Sequence, residues 1–138
     1  MTIARGAGTV GDMAELEPIG VVVTSVGTEQ QAVEISEELV ARRLATCVNI
    51  LPCLRSIYRW KGKVCEDSEF LLIIKTRRAL FAKVSETIRA IHSYELPEIL
   101  EFGVDNAEAN FHRWVVEMAT GVMERESESD TEHQPVFD

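Results

Sequence analysis

The sequence predicts an α+β fold whose elements run β-α-β-β-α-β and close with a terminal helix. Three observations predict it: an apolar, β-branched run at Ile19–Ser25, helical apolar stripes on either side of the chain's middle, and between those stripes a long β-prone stretch broken by a Lys61-Gly62 pair. Two split βαβ units in this order pack as a four-stranded antiparallel sheet with both main helices on one face, the ferredoxin-like arrangement. The opposite sheet face is then left without helix cover.

Taken in order, Ile19-Gly20-Val21-Val22-Val23-Thr24-Ser25 is short and β-branched, the pattern of a central strand buried on both faces. Thr28 opens the first helix as its cap, with Gln31 three residues on placed to reach back in a capping box. Ala32, Ile35 and Leu39, widened by Val33 and Val40, form the helical stripe, and Arg42 and Arg43 suit the negative carboxyl end of the helix dipole.

Strand propensity resumes near Ala45 and, across the turn, persists to Thr76, well beyond a common strand length of about 5–6 residues. Ser56-Ile57-Tyr58-Arg59-Trp60 and Val64 flank a Lys61-Gly62 pair able to supply the positive φ of a tight reversal. Pro52 cannot donate a ladder hydrogen bond and marks a bulge or an edge in the first arm. A hairpin this long projects past a small core, and its exposed apolar surface calls for another copy of the same chain.

A second helix is expected from about Arg77, capped by Thr76, with Leu80, Val84, Ile88 and Ile91 on one face and Phe81 beside them. Pro97 ends helical geometry, after which Glu98–Val104 alternates as a half-buried strand. Asp105 and Glu108 form a further capping pair before a helix whose face carries Phe111, Trp114, Val115 and Met118. The chain therefore divides into a flexible lead (1–18), one domain (19–120) and an acidic tail (121–138) with the composition of disorder. The tail holds six acids against Arg125, a net of −5 within the total of −9.

That acidity argues against nucleic acid or an anionic membrane as the main partner. The first twenty residues are interrupted by Gly6, Gly8, Gly11, Asp12, Glu15 and Glu17, and no window has the unbroken apolar length of a membrane helix. The expectation is a cytoplasmic protein, in which Cys47, Cys53 and Cys65 are reduced thiols. No glycine-rich phosphate loop, nucleophile elbow or metalloprotease histidine pair is present, so an enzyme is not expected. Acylphosphatases share the ferredoxin-like arrangement, but Arg42 and Arg43 sit in no phosphate-cradling loop, and fold alone carries no chemistry.

Five ordered blocks carry a family resemblance: Arg43–Ile50, Ser56–Lys63, Glu66–Glu69, Ile74–Thr76 and His92-Ser93-Tyr94-Glu95-Leu96-Pro97-Glu98. Over roughly Gly20 to Ala119 the chain resembles the CutA family of divalent-cation tolerance proteins. The resemblance implies a ferredoxin-like protomer in a tight homotrimer, assembled like the PII signalling proteins, with a role in divalent metal ion tolerance. The resemblance implies that copper-binding members use a cysteine at the end of the first strand and two successive histidines at the end of the second helix. Here those positions are Ser25, Ile91 and His92, and neither a hydroxyl nor an alkyl group replaces a thiolate or imidazole on soft copper. Ser93 stands where the family has proline.

The resulting candidates fall into two groups. His92 with Glu95 or Glu98 is the candidate divalent-metal set, for copper or zinc, against the alternative of a histidine held by a helix carboxyl end; no cofactor is required. Tyr58, Trp60, Glu69, Lys75 and Tyr94 are candidates for a cleft between subunits that holds a small anionic ligand, as in a PII-like sensor or scaffold, against the alternative that the aromatics anchor the interface. Cys47 joins them as a possible ligand or nucleophile, although its strand offers no neighbouring base.

Overall fold

Residues 16–123 are described by the structure, a computed structural model; most of the lead (1–15) and of the tail (124–138) lies outside them. The elements are β1 (Ile19–Val26), α1 (Glu29–Ala41), β2 (Cys47–Trp60), β3 (Lys63–Arg77), a 3-10 turn (Arg78–Leu80), α2 (Phe81–Ile91), β4 (Leu100–Gly103) and α3 (Ala109–Met118). They form one antiparallel sheet of four strands in the order β2-β3-β1-β4, as the sequence pattern predicts. No helix among the described residues is long and apolar enough to cross a membrane.

Strand alternation sorts the side chains. Val22, Val26, Leu72 and Ile74 join Ile35 and Leu39 of α1 and Val84 and Ile88 of α2 in one core, all fully buried. Phe70 packs against this cluster. The intervening residues face the other way. Cross-strand partners share a face, so the register aligns Phe102, Val21, Lys75 and Cys47 in one row, and Leu100, Val23, Ile73 and Asn49 in the next. On this face Leu100 is 50% and Phe102 58% exposed.

The hairpin is as long as the sequence suggests, 14 residues in β2 and 15 in β3. Lys61 (φ 49°) and Gly62 (φ 80°) turn it, the two positive φ values of a type I′ reversal, whose twist matches that of the strands. At Pro52 the pairing slips between Leu51 and Leu54, and Cys53 adopts φ 65°, a bulge at the residue that cannot donate.

Several local expectations need correction. Thr76 does not cap α2: β3 continues through Arg77, and the Thr76 hydroxyl, fully buried, donates to Leu44 O at 2.6 Å. The helix starts later, at Phe81, entered through the 3-10 turn with no side-chain cap. Thr28 does cap α1, accepting from Gln31 N at 3.1 Å, but the Gln31 side chain does not reach back; it crosses to Ile91 and Ser93. Asp105 is not the cap of α3: Glu108 itself holds that place and accepts from Phe111 N at 2.9 Å. Backbone N–H donation to its carboxylate pulls the Glu108 pKa below the usual range. The last strand is shorter than Glu98–Val104 because β1 pairs with it only over Gly20–Val23.

Candidate functional site

At the end of α2 the chain turns extended at His92 (φ −62°, ψ 135°), whose N–H still closes onto Ile88 O at 2.8 Å. The imidazole is thereby directed inward and is only 8% exposed. Its Nε2 lies 2.7 Å from Ser25 O, and Tyr94 N–H donates to its Nδ1 at 3.1 Å. A backbone amide can only donate, so Nδ1 accepts and the ring proton sits on Nε2, donated to the Ser25 carbonyl. Both ring nitrogens are committed.

Tyr94 tilts against that imidazole, with ring centroids 4.7 Å apart, and its phenol donates to Glu69 at 2.7 Å. Glu69 is 6% exposed. Burial first, and then the hydrogen bond to Glu69, pushes the Tyr94 phenol well above its ordinary pKa. A second phenol–carboxylate pair adjoins the first: Tyr58 donates to Asp67 and, chiefly through that bond, is pushed up to about 12. Asp67 and Glu69 are two apart on β3 and therefore share a face, which Tyr58 joins through its cross-strand partner Cys65. The charge of each carboxylate acts on both phenols.

The segment after α2 is fastened at two further points. Gln31 Nε2 donates to Ile91 O at 3.4 Å, while Gln31 Oε1 accepts from Ser93 N at 3.3 Å and Ser93 Oγ at 3.2 Å. At the hairpin tip Lys61 lies 4.0 Å from Glu95 and 5.7 Å from the centroid of the Trp60 ring. Lys75 and Cys47 stand apart from this network on the open face, where Lys75 Nζ donates to Cys47 Sγ at 3.9 Å.

Of the candidate cleft residues, the fold joins Glu69 to Tyr94 and sets Tyr58 beside them. It does not bring His92, Glu95 and Glu98 together as a metal set. His92 has no free ring nitrogen, Glu95 reaches toward Lys61, Glu98 is exposed, and among the described residues no group of three or more His, Cys, Asp or Glu could hold a metal ion. The donor set does not fit a copper centre within one chain. Asp67 and Gln31 are the participants that sequence reasoning missed. Asp67 could have been found from its two-residue spacing to Glu69. Local sequence marked Gln31 only for a capping box; its partner Ser93 is 62 residues away and carries no local signal. Chemically, both phenol–carboxylate pairs hold a proton in place, and the Tyr94–Glu69 pair also ties the segment after α2 to β3.

The family model for the CutA1 divalent ion tolerance protein matches residues 20–118. A divalent-cation tolerance protein CutA of Thermus thermophilus is 43% identical over 97 residues, covering 70% of this chain and 94% of the relative. Protein CutA of Mus musculus is 40% identical over 94 residues, which are 68% of this chain but only 53% of the mouse protein. Among solved structures, a divalent cation tolerance protein of Thermus thermophilus superposes with a TM-score of 0.70 at 42% identity, over 72% of this chain and 96% of that one. The Ehrlichia chaffeensis CutA1 structure gives 0.72 at 30% identity, over 76% and 98%. The architecture, the five sequence blocks and these likenesses agree: the chain belongs to the CutA1 family of divalent ion tolerance proteins.

Proposed function

We propose that the protein serves divalent-cation tolerance as a homotrimer in the cytoplasm, without catalysis, and that its binding surfaces are completed between subunits. The observation that carries this reading is the exposed apolar part of the sheet face opposite the core, where Leu100 and Phe102 remain 50% and 58% exposed beside Val21 and Val23. A contiguous apolar surface of that kind supports association, and a second copy of the chain is the partner always available. The number three rests on the family resemblance. Three free cysteines, Cys47, Cys53 and Cys65, suit a reducing compartment.

Sedimentation equilibrium tests the assembly. The expected mass is that of three chains, and a folded single chain in dilute neutral buffer would refute the reading. Copper or zinc binds weakly, at exposed carboxylates such as Glu95 and Glu98, because the His92 ring is already used. Calorimetric titration with copper should therefore give the same isotherm for the wild type and His92→Ala; a signal abolished by the substitution would show that the imidazole is a ligand.

A second reading, a PII-like sensor or scaffold with a small anion held between subunits, is favoured by one specific feature: a lysine on the open face with no acidic partner among the described residues.

A further inference from the structure

We infer that Lys75 holds a free small oxyanion, a phosphate or a small carboxylate, at the interface between copies of the chain. The inference rests on the reading that the open sheet face is buried on assembly. Lys75 is the one charged residue in the two rows formed by Phe102, Val21, Cys47, Leu100, Val23, Ile73 and Asn49. It is already half-buried in a single chain. Among the described residues no carboxylate lies within ion-pair distance of its ammonium, whose one recorded partner is the Cys47 sulfur at 3.9 Å. A thiol is a weak acceptor and leaves the charge uncompensated.

Covering this face with apolar surface would strip water from an unpaired ammonium, which is strongly unfavourable unless an anion accompanies it. A carboxylate from a neighbouring copy is the competing source. Every carboxylate on the strands, however, has a partner within its own chain: Glu66 is held by Arg55, Asp67 by Tyr58, Glu69 by Tyr94 and Glu101 by Arg78 through one oxygen, the other being buried without a partner. The strands thus offer Lys75 no free carboxylate; Glu98, exposed just before β4, is the acid a neighbouring copy could supply in place of a diffusible oxyanion, and the response to phosphate decides between the two. The chemistry of an oxyanion matches a lysine, a compact point charge with three rotatable donors.

The experiment uses the full chain and inorganic phosphate as probe. Thermal unfolding is followed as phosphate replaces chloride at constant ionic strength, with oligomeric mass measured in parallel by light scattering. The wild type should gain on the order of 5 °C once phosphate exceeds its dissociation constant about tenfold, since a ligand of the native state raises stability by mass action. Lys75→Met should remain assembled and lose the response. Should Lys75→Met fail to assemble, Lys75→Gln and the broadening of the phosphate phosphorus resonance by wild-type protein provide the same comparison. An assembled wild type with no phosphate response, or a Lys75→Met protein that responds like the wild type, overturns the inference. A Lys75→Met assembly that is weakened while the wild type ignores phosphate assigns the anion to a neighbouring chain and also overturns it. A monomeric wild type defeats the underlying reading instead, and the mass measurement separates the two failures.

Discussion

Tyr58 and Tyr94 are the two tyrosines of the chain, and both donate to carboxylates of β3. A phenol whose ionisation is raised in the folded state favours folding while it stays protonated. That contribution is whole below the ordinary value of 10.0 and is lost as pH rises toward about 12, where Tyr58 ionises in the fold. Tyrosinate absorbance should therefore be nearly absent from the native protein at pH 10 and rise only well above it. Glu69→Gln, which removes the charge beside Tyr94 while keeping an acceptor, should bring one of the two phenols down toward 10. Native titration of both phenols at 10 would show that the pairs do not persist in solution. At the same scale, His92 reads as an orienting residue: its Nδ1 holds Tyr94 N and its Nε2 holds Ser25 O, so truncation to Ala leaves a buried carbonyl and an amide without partners.

Among the elements, the hairpin is the one whose local chemistry can be tested most directly. A side chain added at Gly62 meets nothing within 4 Å, so Gly62→Ala isolates the backbone cost of φ 80°. That substitution should lower stability by about 1–2 kcal/mol, measured by denaturant unfolding; no loss would mean that the turn rearranges. Leu72, in the core half of β3 and fully buried, should lose about 2–5 kcal/mol on change to Ala because a cavity adds to the lost transfer energy. The outer half of the hairpin makes no such core contacts. Ile57 and Val64 are both 69% exposed there, and in the proposed assembly their contribution would come from contacts with another copy. Helix α3 behaves similarly: Val115 is buried, while Phe111, Trp114 and Met118 are 43%, 39% and 36% exposed.

For the whole molecule, the decisive property is that one sheet face carries the core, while the other carries two largely apolar rows in which Lys75 is the one charged residue. Phe102→Asp places a carboxylate beside Val21 on that surface, and it should weaken association by about 30-fold or more, the scale of a disrupted interface anchor. Analytical ultracentrifugation would report lighter species, while far-ultraviolet circular dichroism should be unchanged because the residue lies outside the core. Trp60, 37% exposed beside the hairpin turn, should act in the same direction when changed to Asp. An oligomer that survives both substitutions would place the interface elsewhere.

Element order, the Lys61-Gly62 reversal and the irregularity at Pro52 were legible in the residues, because each follows from short-range periodicity or from a backbone constraint on one residue type. The same local signals misplaced Thr76 as a cap and Asp105 in a capping pair, since a hydroxyl or carboxylate suited to capping serves equally well in another bond and only the strand register selects between them. The phenol–carboxylate pairs, the Gln31 bridge to Ser93 and the double commitment of His92 depend largely on groups 9 to 67 residues apart. Sequence by itself determined which faces are apolar and which backbone positions turn. Tertiary structure alone decided which polar groups are already satisfied, because hydrogen-bond partners are chosen by distance in space, and that choice commits both ring nitrogens of His92 and gives Lys75 no carboxylate partner among the described residues.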